Sequence, residues 1–176
     1  YKRLNRPHAD RLDLLDKLKE VAFSRDDLYL EYVTLLNQLG RYEEAIHMID
    51  ARRFHPWEGG EGKVPAQYQL ARVELVKACL KAGENEKALF LIEECFIYPH
   101  NLGEGKLYGA QENDFNYYKA CALQALGREA EARELFLAAS TGNSQPAVAM
   151  YYNDQKPDKI FYQGLAFRKL GREDEA

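Results

Sequence analysis

The chain has 176 residues, 46% of them hydrophobic and 30% charged, a balance typical of a packed globular domain and not of a disordered segment. Its formal net charge is −4, with both signs interspersed. Binding to a polyanion needs clustered Lys and Arg, so this charge argues against nucleic acid as a partner. No apolar run approaches the ~18 to 20 residues that span a bilayer, which argues against a membrane segment.

The two ends of the sequence carry an expectation of their own. The chain begins at Tyr1 without a Met or a signal peptide, and it stops at Ala176 in the first turn of a predicted helix. We therefore expect a piece of a longer protein, with a cytoplasmic location. Because the last unit would lack its cover, the C-terminal end is expected to fray or self-associate through Phe161, Leu165 and Leu170.

Apolar residues recur at helical spacing along most of the chain. In chain order, helices are predicted near 10–22, 26–39, 42–54, 66–82, 84–96, 111–126, 128–140 and 158–170, with a truncated one from 172. Long loops separate them at 55–65, 97–110 and 141–157. Ser24 and Asp27 resemble a capping box at the start of the second helix.

One signature repeats along the whole chain: a Gly, four residues, then an Ala. It occurs at Gly40/Ala45, Gly83/Ala88, Gly127/Ala132 and Gly171/Ala176. The Gly residues are 43, 44 and 44 residues apart, and so steady a period indicates a repeat array. Each Gly can end one helix with a positive φ, and each Ala lets the paired helices approach closely. The sequence therefore predicts an all-α fold, a short α-solenoid forming a single domain over 1–176 with about three and a half units.

The segment 158–176 resembles the tetratricopeptide repeat. Gly164 and Ala176 stand at its small positions, Phe167 at its aromatic position and Gly171 at its turn. The period of about 44 departs from the 34 residues of that family because the loops between units are long. The resemblance implies a concave groove lined by the first helix of each unit.

The tetratricopeptide register implies which side chains face that groove. They are Leu30, Thr34, Asn37, Val73, Lys77, Tyr117, Cys121, Phe161, Leu165 and Arg168. Among them, the candidates for contact with a partner are Asn37, Lys77, Tyr117 and Arg168.

Two loops share a motif: Pro56–Lys63 aligns with Pro99–Lys106, and five of the eight positions are identical. Loops usually vary more than cores, so a shared constraint is indicated. One interpretation is recognition of a partner; the other is a special backbone path, with Glu and Lys capping helices or pairing with the next repeat. On the first interpretation the candidate residues are Trp57, Glu61, Lys63, His100, Glu104 and Lys106.

The motif Gly-Glu-Gly-Lys is not a phosphate-binding loop. Such a loop has a Gly five residues before its Gly-Lys pair and a Ser or Thr after it. Trp57 and His100 occupy the first position, and Val64 and Leu107 the second. Nucleotide hydrolysis is therefore not expected.

The shared loops and the Tyr-Tyr-Asn-Asp segment at 151–154 also resemble the C-terminal helical-repeat part of large bacterial multidomain proteins. Those proteins carry an uncharacterised N-terminal region thought to be β-sandwich-like and carbohydrate-related. This resemblance implies a carbohydrate-active parent protein.

No catalytic or metal-binding constellation stands out. The four His residues lack paired-ligand spacing, and Cys79, Cys95 and Cys121 lack CxxC spacing. We expect neither a cofactor nor an enzyme.

Two functions remain open. The first is a helical-repeat scaffold that binds a protein or another domain of its own parent chain. The second is an accessory module of a carbohydrate-active protein, in which aromatic loop residues contribute to a sugar site.

Overall fold

A computed structural model describes residues 2–147 and 156–176, and in these ranges every regular element is helical. The helices are α1 (His8–Lys17), α2 (Lys19–Ala22), α3 (Asp26–Gln38), α4 (Tyr42–Asp50), α5 (Lys63–Ala82), α6 (Asn85–Glu94), α7 (Asn113–Ala125), α8 (Glu129–Ala139) and α9 (Pro157–Lys169). Short 3-10 turns lie at His100–Leu102 and Glu173–Glu175. The predicted all-α class is confirmed, while the Tyr-Tyr-Asn-Asp segment at 151–154 lies outside the described residues.

Several helix bounds differ from the prediction. The helix predicted over 10–22 is two helices, because the backbone leaves helical geometry at Leu18, with φ −114° and ψ 26°. Helix α4 ends at Asp50 and not near Phe54, and α5 begins three residues earlier than predicted, at Lys63. The chain from residue 172 forms a 3-10 turn at Glu173–Glu175 in place of the predicted α-helix.

The predicted capping box before α3 is wrong. The residue that precedes the helix is Arg25, and it makes no side-chain cap. Ser24 Oγ instead donates to the carbonyl of Val21, and the Asp27 carboxylate accepts from the Arg25 guanidinium at 2.8 Å and 3.0 Å. The local ion pair and the turn bond therefore replace the two capping bonds.

The four Gly residues of the repeated signature make the same turn. Their φ angles lie between +75° and +78°. In each turn the N–H of the following residue donates over 2.9 Å to the carbonyl five residues before it, a bond typical of a Schellman motif. A positive φ is costly for any residue with a Cβ, so Gly is the residue that this turn selects.

The turn that begins directly after each of these Gly residues carries an ion pair in all four copies. Arg41 pairs with Glu44, Arg128 with Glu131 and Arg172 with Glu175, while Glu84 and Lys87 make the pair with the signs exchanged. These pairs are exposed, so solvent screens them and each contributes little to folding.

The alanine of each signature is buried in the first three copies. Ala45, Ala88 and Ala132 are at most 1% exposed, as the repeat predicts, whereas Ala176 is exposed. Four residues further on, the larger apolar side chains Ile49, Ile92 and Phe136 are also buried. The small and large positions thus alternate along the inner face of each second helix.

The chain divides into two compact units. The first contains residues 1–74 and 98–105, and the second 75–97 and 106–176, so the boundary falls inside α5. The prediction of one continuous repeat domain is not tested by this division and stays a prediction.

In the first unit, α3 packs against α1 and α4. The core is formed by Leu12, Tyr29, Leu30, Tyr32, Val33, Leu35, Leu36, Ala45, Ile49, Phe54, Val64, Tyr68, Ala71 and Leu102. Arg52 supports this core from its edge: its guanidinium lies 4.3 Å from the ring centroid of Tyr29 and donates to Asp26 at 2.6 Å. The Arg52 guanidinium covers the face of the Tyr29 ring, and the Asp26 carboxylate neutralises the charge of the guanidinium.

In the second unit, α7 packs against α6, α8 and α9, and α8 also contacts α9. The buried core that α7, α8 and α9 share consists of Ala120, Leu123, Ala132, Phe136, Ala139 and Ala166. Four of these six residues are alanines, which permits close approach of the three helices.

Candidate functional site

The first shared loop is organised around Trp57. Gly60 N–H donates to the Trp57 carbonyl at 2.9 Å, and Lys63 N–H donates to the Gly60 carbonyl at 3.0 Å, which closes two consecutive turns. Gly59 and Gly62, each third in its turn, have φ of +76° and +70°, the angle that a type II turn requires there. The sequence of glycines therefore follows from the backbone path of this loop.

The indole of Trp57 rests on the loop itself. A Cβ built on Gly60 would stand 2.2 Å from Cε2 of Trp57, so a side chain at residue 60 would displace the ring. The half-buried Trp57 also packs against the core of the first unit. Trp57 is thus in contact both with its own loop and with the core.

The second shared loop follows a different path. Gly103 has a positive φ of +75°, whereas its aligned counterpart Gly60 does not. The reverse holds for the second pair, in which Gly62 has a positive φ and Gly105 does not. A Cβ on Gly103 would stand 2.7 Å from the carbonyl oxygen of Phe54. The aligned motif therefore does not produce two copies of one loop conformation.

Asn101 fastens the second loop to the end of α4. Its Nδ2 donates to the carbonyls of Ile49 and Arg52 at 2.9 Å and 3.1 Å, and its own carbonyl accepts from Phe54 N–H at 2.7 Å. This role of Asn101 could not be predicted from the sequence, because the partner of an Asn in a loop depends on contacts that are distant along the chain.

Glu104 joins the two loops. Its Oε2 accepts a hydrogen bond of 2.7 Å from the backbone N–H of Gly62. This bond fixes the orientation of the Glu104 carboxylate beside the first loop.

A pocket of about 280 Å³ lies where the loops meet, and it is lined by Pro56, Trp57, Glu58, Glu61 and Glu104. Within residues 2–147 and 156–176, no Lys or Arg forms an ion pair with any of these three carboxylates. Glu58 was not among the predicted site residues, although its position next to Trp57 was a usable signal. The pocket combines an aromatic wall with a formal charge of −3.

The two lysines of the motif have separate local partners. The Lys63 amine donates to the carbonyl of Gly59, within its own loop. In the second unit, the Lys106 amine pairs with Glu112 and lies 6.0 Å from the ring centroid of Phe96. His100 is exposed at the start of the 3-10 turn.

Compared with known proteins, the chain matches no family model, and no solved structure matches it.

The residues of the first unit that were predicted to face the groove instead make contacts inside that unit. Asn37 is only 3% exposed, and its Nδ2 donates to the backbone carbonyl and to Oε1 of Gln67 at 3.2 Å and 2.9 Å. Thr34 donates to the carbonyl of Leu30, while Leu30 and Val73 are buried. Asn37 therefore fixes the start of α5, and we leave it out of the surface proposed below.

In the second unit, Tyr117 lies in an aromatic cluster. Its ring centroid is 5.5 Å from that of Tyr118, 5.7 Å from that of Tyr162 and 5.8 Å from that of Phe136. Burial, together with the neighbouring Cys121 thiol, raises the pKa of Tyr117. The phenol is therefore neutral at physiological pH and packs as an amphipathic side chain.

Tyr118 and Tyr162 hold equivalent places in successive repeats, nine residues before Gly127 and Gly171. Their hydroxyl oxygens lie 3.0 Å apart. Tyr162 was not predicted as a site residue, yet the repeat spacing alone relates it to Tyr118. Lys77 lies 5.7 Å from the ring centroid of Tyr118.

Arg168 is exposed on α9, and its Nε lies 3.4 Å from Glu173. An exposed pair of this length is weak, so the guanidinium can exchange its partner at little cost.

The described ranges contain no group of three or more His, Cys, Asp or Glu residues that could hold a metal ion. In the same ranges, no helix is both long and apolar enough to cross a membrane.

Proposed function

We propose that this chain is a tetratricopeptide-like helical-repeat module that binds protein, either a separate chain or another domain of its own parent protein, and that it is not an enzyme. No cofactor, nucleic acid or membrane takes part in the proposed interaction, and the proposed location of the protein is the cytoplasm. The observation that carries the proposal is the four-fold Gly turn, with one φ, one hydrogen-bond pattern and one ion-pair position in every copy.

The repeated turn supports binding because of what repeat modules do physically. Each helix pair contacts its neighbours, and stacking pairs creates an extended surface to which successive units contribute equivalent positions. The candidate contacts for a partner are the pocket beside Trp57 in the first unit and Lys77, Tyr117 and Arg168 in the second.

The alternative is an accessory module that contributes loop residues to a sugar site. A second cavity, of about 430 Å³ in the second unit, favours it, since amides and a hydroxyl dominate its lining: Gln111, Asn113, Asn116, Thr141 and Asn143. Such groups match the hydroxyls of a carbohydrate.

Affinity capture with a matched variant tests the proposed function. The chain and its quadruple variant Glu61→Ala, Lys63→Ala, Glu104→Gln, Lys106→Ala are used as baits, and a glycan array is probed with both; glutamine at 104 keeps an acceptor for Gly62 N–H. We expect a protein that the natural chain retains and the variant loses, while urea unfolding of the two differs by no more than about 1 kcal/mol, because the ion pair that the variant removes is Lys106–Glu112. Retention of glycans without a protein partner would replace the proposal by its alternative, and retention of neither would overturn both.

Self-association through α9 is a further expected outcome. Phe161 is 61% exposed and borders a groove of about 430 Å³ with Ile160, Gly164 and Leu165. We expect concentration-dependent association, measured by light scattering, that Phe161→Lys weakens about tenfold or more, as for a central apolar contact. Phe90→Lys is the matched control, because Phe90 is 64% exposed on α6. A monomer at all concentrations, or equal effects of both substitutions, would contradict the prediction.

A further inference from the structure

We infer that the pocket lined by Pro56, Trp57, Glu58, Glu61 and Glu104 binds a lysine or arginine side chain of the partner protein. This inference rests on the proposed function and names the chemistry that the partner presents.

The size of the pocket suits a single side chain. Its volume of about 280 Å³ lies just below the roughly 300 to 1,000 Å³ of small-molecule sites. A sugar chain or a cofactor would need more room, whereas an extended Lys or Arg side chain fits such a space and leaves its backbone outside.

The walls of the pocket match the two parts of such a side chain. Pro56 and the indole of Trp57 offer apolar surface to the methylene groups, and long cationic side chains bury their stems in this way. The indole is also the best aromatic partner for a cation. Because Gly60 and the core of the first unit hold the ring, the ring is in place before a ligand arrives.

The three carboxylates of the pocket favour a ligand with a positive charge. Glu58, Glu61 and Glu104 bring a formal charge of −3 to one pocket, and in the part of the chain that the structure describes no basic side chain pairs with them. A neutral sugar would desolvate these groups without neutralising them, which is costly. A guanidinium or ammonium group compensates them instead.

Glu104 gives the site directional preference. Its Oε2 is fixed by the bond from Gly62 N–H, so its other oxygen stands in a defined place to accept from the ligand. A fixed carboxylate loses little conformational freedom on binding, which lowers the entropic cost of recognition.

The single Trp of the chain makes the site its own reporter. Because Trp57 is the only source of indole fluorescence and of an indole Nε1–H resonance, any change in either signal reports on the surroundings of this side chain. The probes are glycine-flanked pentapeptides with a central Lys, Arg or Gln, capped at both ends, and free glucose.

We expect the Lys and Arg peptides to shift both Trp57 signals saturably, with an affinity that falls as salt is raised, since exposed charges are screened. The Gln peptide and glucose should leave the signals unchanged. The triple variant Glu58→Gln, Glu61→Gln, Glu104→Gln should weaken the response about tenfold or more, because its lost charges act together at one cation. Glutamine at 104 keeps an acceptor for Gly62 N–H, so the loops stay joined.

The matched control carries the same change of net charge elsewhere: Glu43→Gln, Glu86→Gln, Glu134→Gln, all at exposed helix positions. Equal weakening in the control would show a long-range charge effect and overturn the inference, as would equal binding of the Gln peptide. A saturable response to glucose alone would assign the pocket to sugar. If no probe shifts Trp57 while affinity capture still yields a partner lost in the quadruple variant, the pocket inference fails and the proposed function stands.

Discussion

Replacing Phe136 with alanine is expected to lower the free energy of unfolding by about 3 to 5 kcal/mol, the cost of emptying a well-packed aromatic site. Phe136 is 2% exposed and lies in the core of the second unit. Its ring stands 5.8 Å from the Tyr117 centroid and 5.8 Å from the Lys169 amine, so the substitution also removes these contacts. Urea unfolding followed by far-UV circular dichroism measures the change.

Phe90→Ala is the control for this substitution, because it removes the same side chain from a position on α6 that is 64% exposed. We expect the loss of stability to depend on the burial of the ring and not on the type of residue removed. Surface substitutions stay within about 0.5 kcal/mol. A loss at Phe136 no larger than that at Phe90 would contradict the packing described for the second unit.

A loss of this size is large compared with the whole stability of a domain, which is typically about 5 to 15 kcal/mol. Partner binding measured on Phe136→Ala would therefore mix two effects. Variants at exposed residues, such as Glu58 and Glu61 of the Trp57 pocket, separate recognition from folding.

The repeat period correctly predicted the four turns at which helices end. A spacing of 43 or 44 residues between Gly residues placed four turns, and each has the positive φ and backbone bond expected of a helix end. These features are local: a Gly, the helix before it and the small residue after it determine them. The buried Ala45, Ala88 and Ala132 follow from the same pattern.

The missed helix bounds depend on contacts that are distant in sequence. Helix α4 ends at Asp50, where Asn101 donates to the carbonyls of Ile49 and Arg52 and accepts from Phe54 N–H. Nothing near Asp50 announces that contact. The sequence also does not mark the break at Leu18, since no Gly or Pro lies there.

The two aligned loops show that a shared sequence motif does not by itself determine a loop conformation. Identical Gly-Glu-Gly-Lys runs predicted equivalent loops, yet the glycines with positive φ differ between the copies. Each backbone path is set by different neighbours: the indole of Trp57 packs on Gly60, and the carbonyl of Phe54 closes on Gly103. The shared motif therefore identifies the two loops, but it does not predict that Glu58 and Glu104 line one pocket.

A second large effect is expected from overpacking the small position of the repeat. Ala88 in α6 is fully buried, so Ala88→Phe must push apart the helix surfaces around it. Inserting bulk into a packed site typically costs about 1 to 3 kcal/mol. The loss should appear as a lower urea midpoint with an unchanged slope, because the same surface is exposed on unfolding.

Ala130→Phe is the control for this substitution. Ala130 lies in the first turn of α8 and is exposed, so the change of helix propensity is shared while the overpacking is not. The difference between the two variants then measures the steric cost at the repeat position alone. If Ala88→Phe unfolds at the same urea concentration as Ala130→Phe, the small residue after each turn is not what lets the helices approach, and the repeat signature loses its structural meaning.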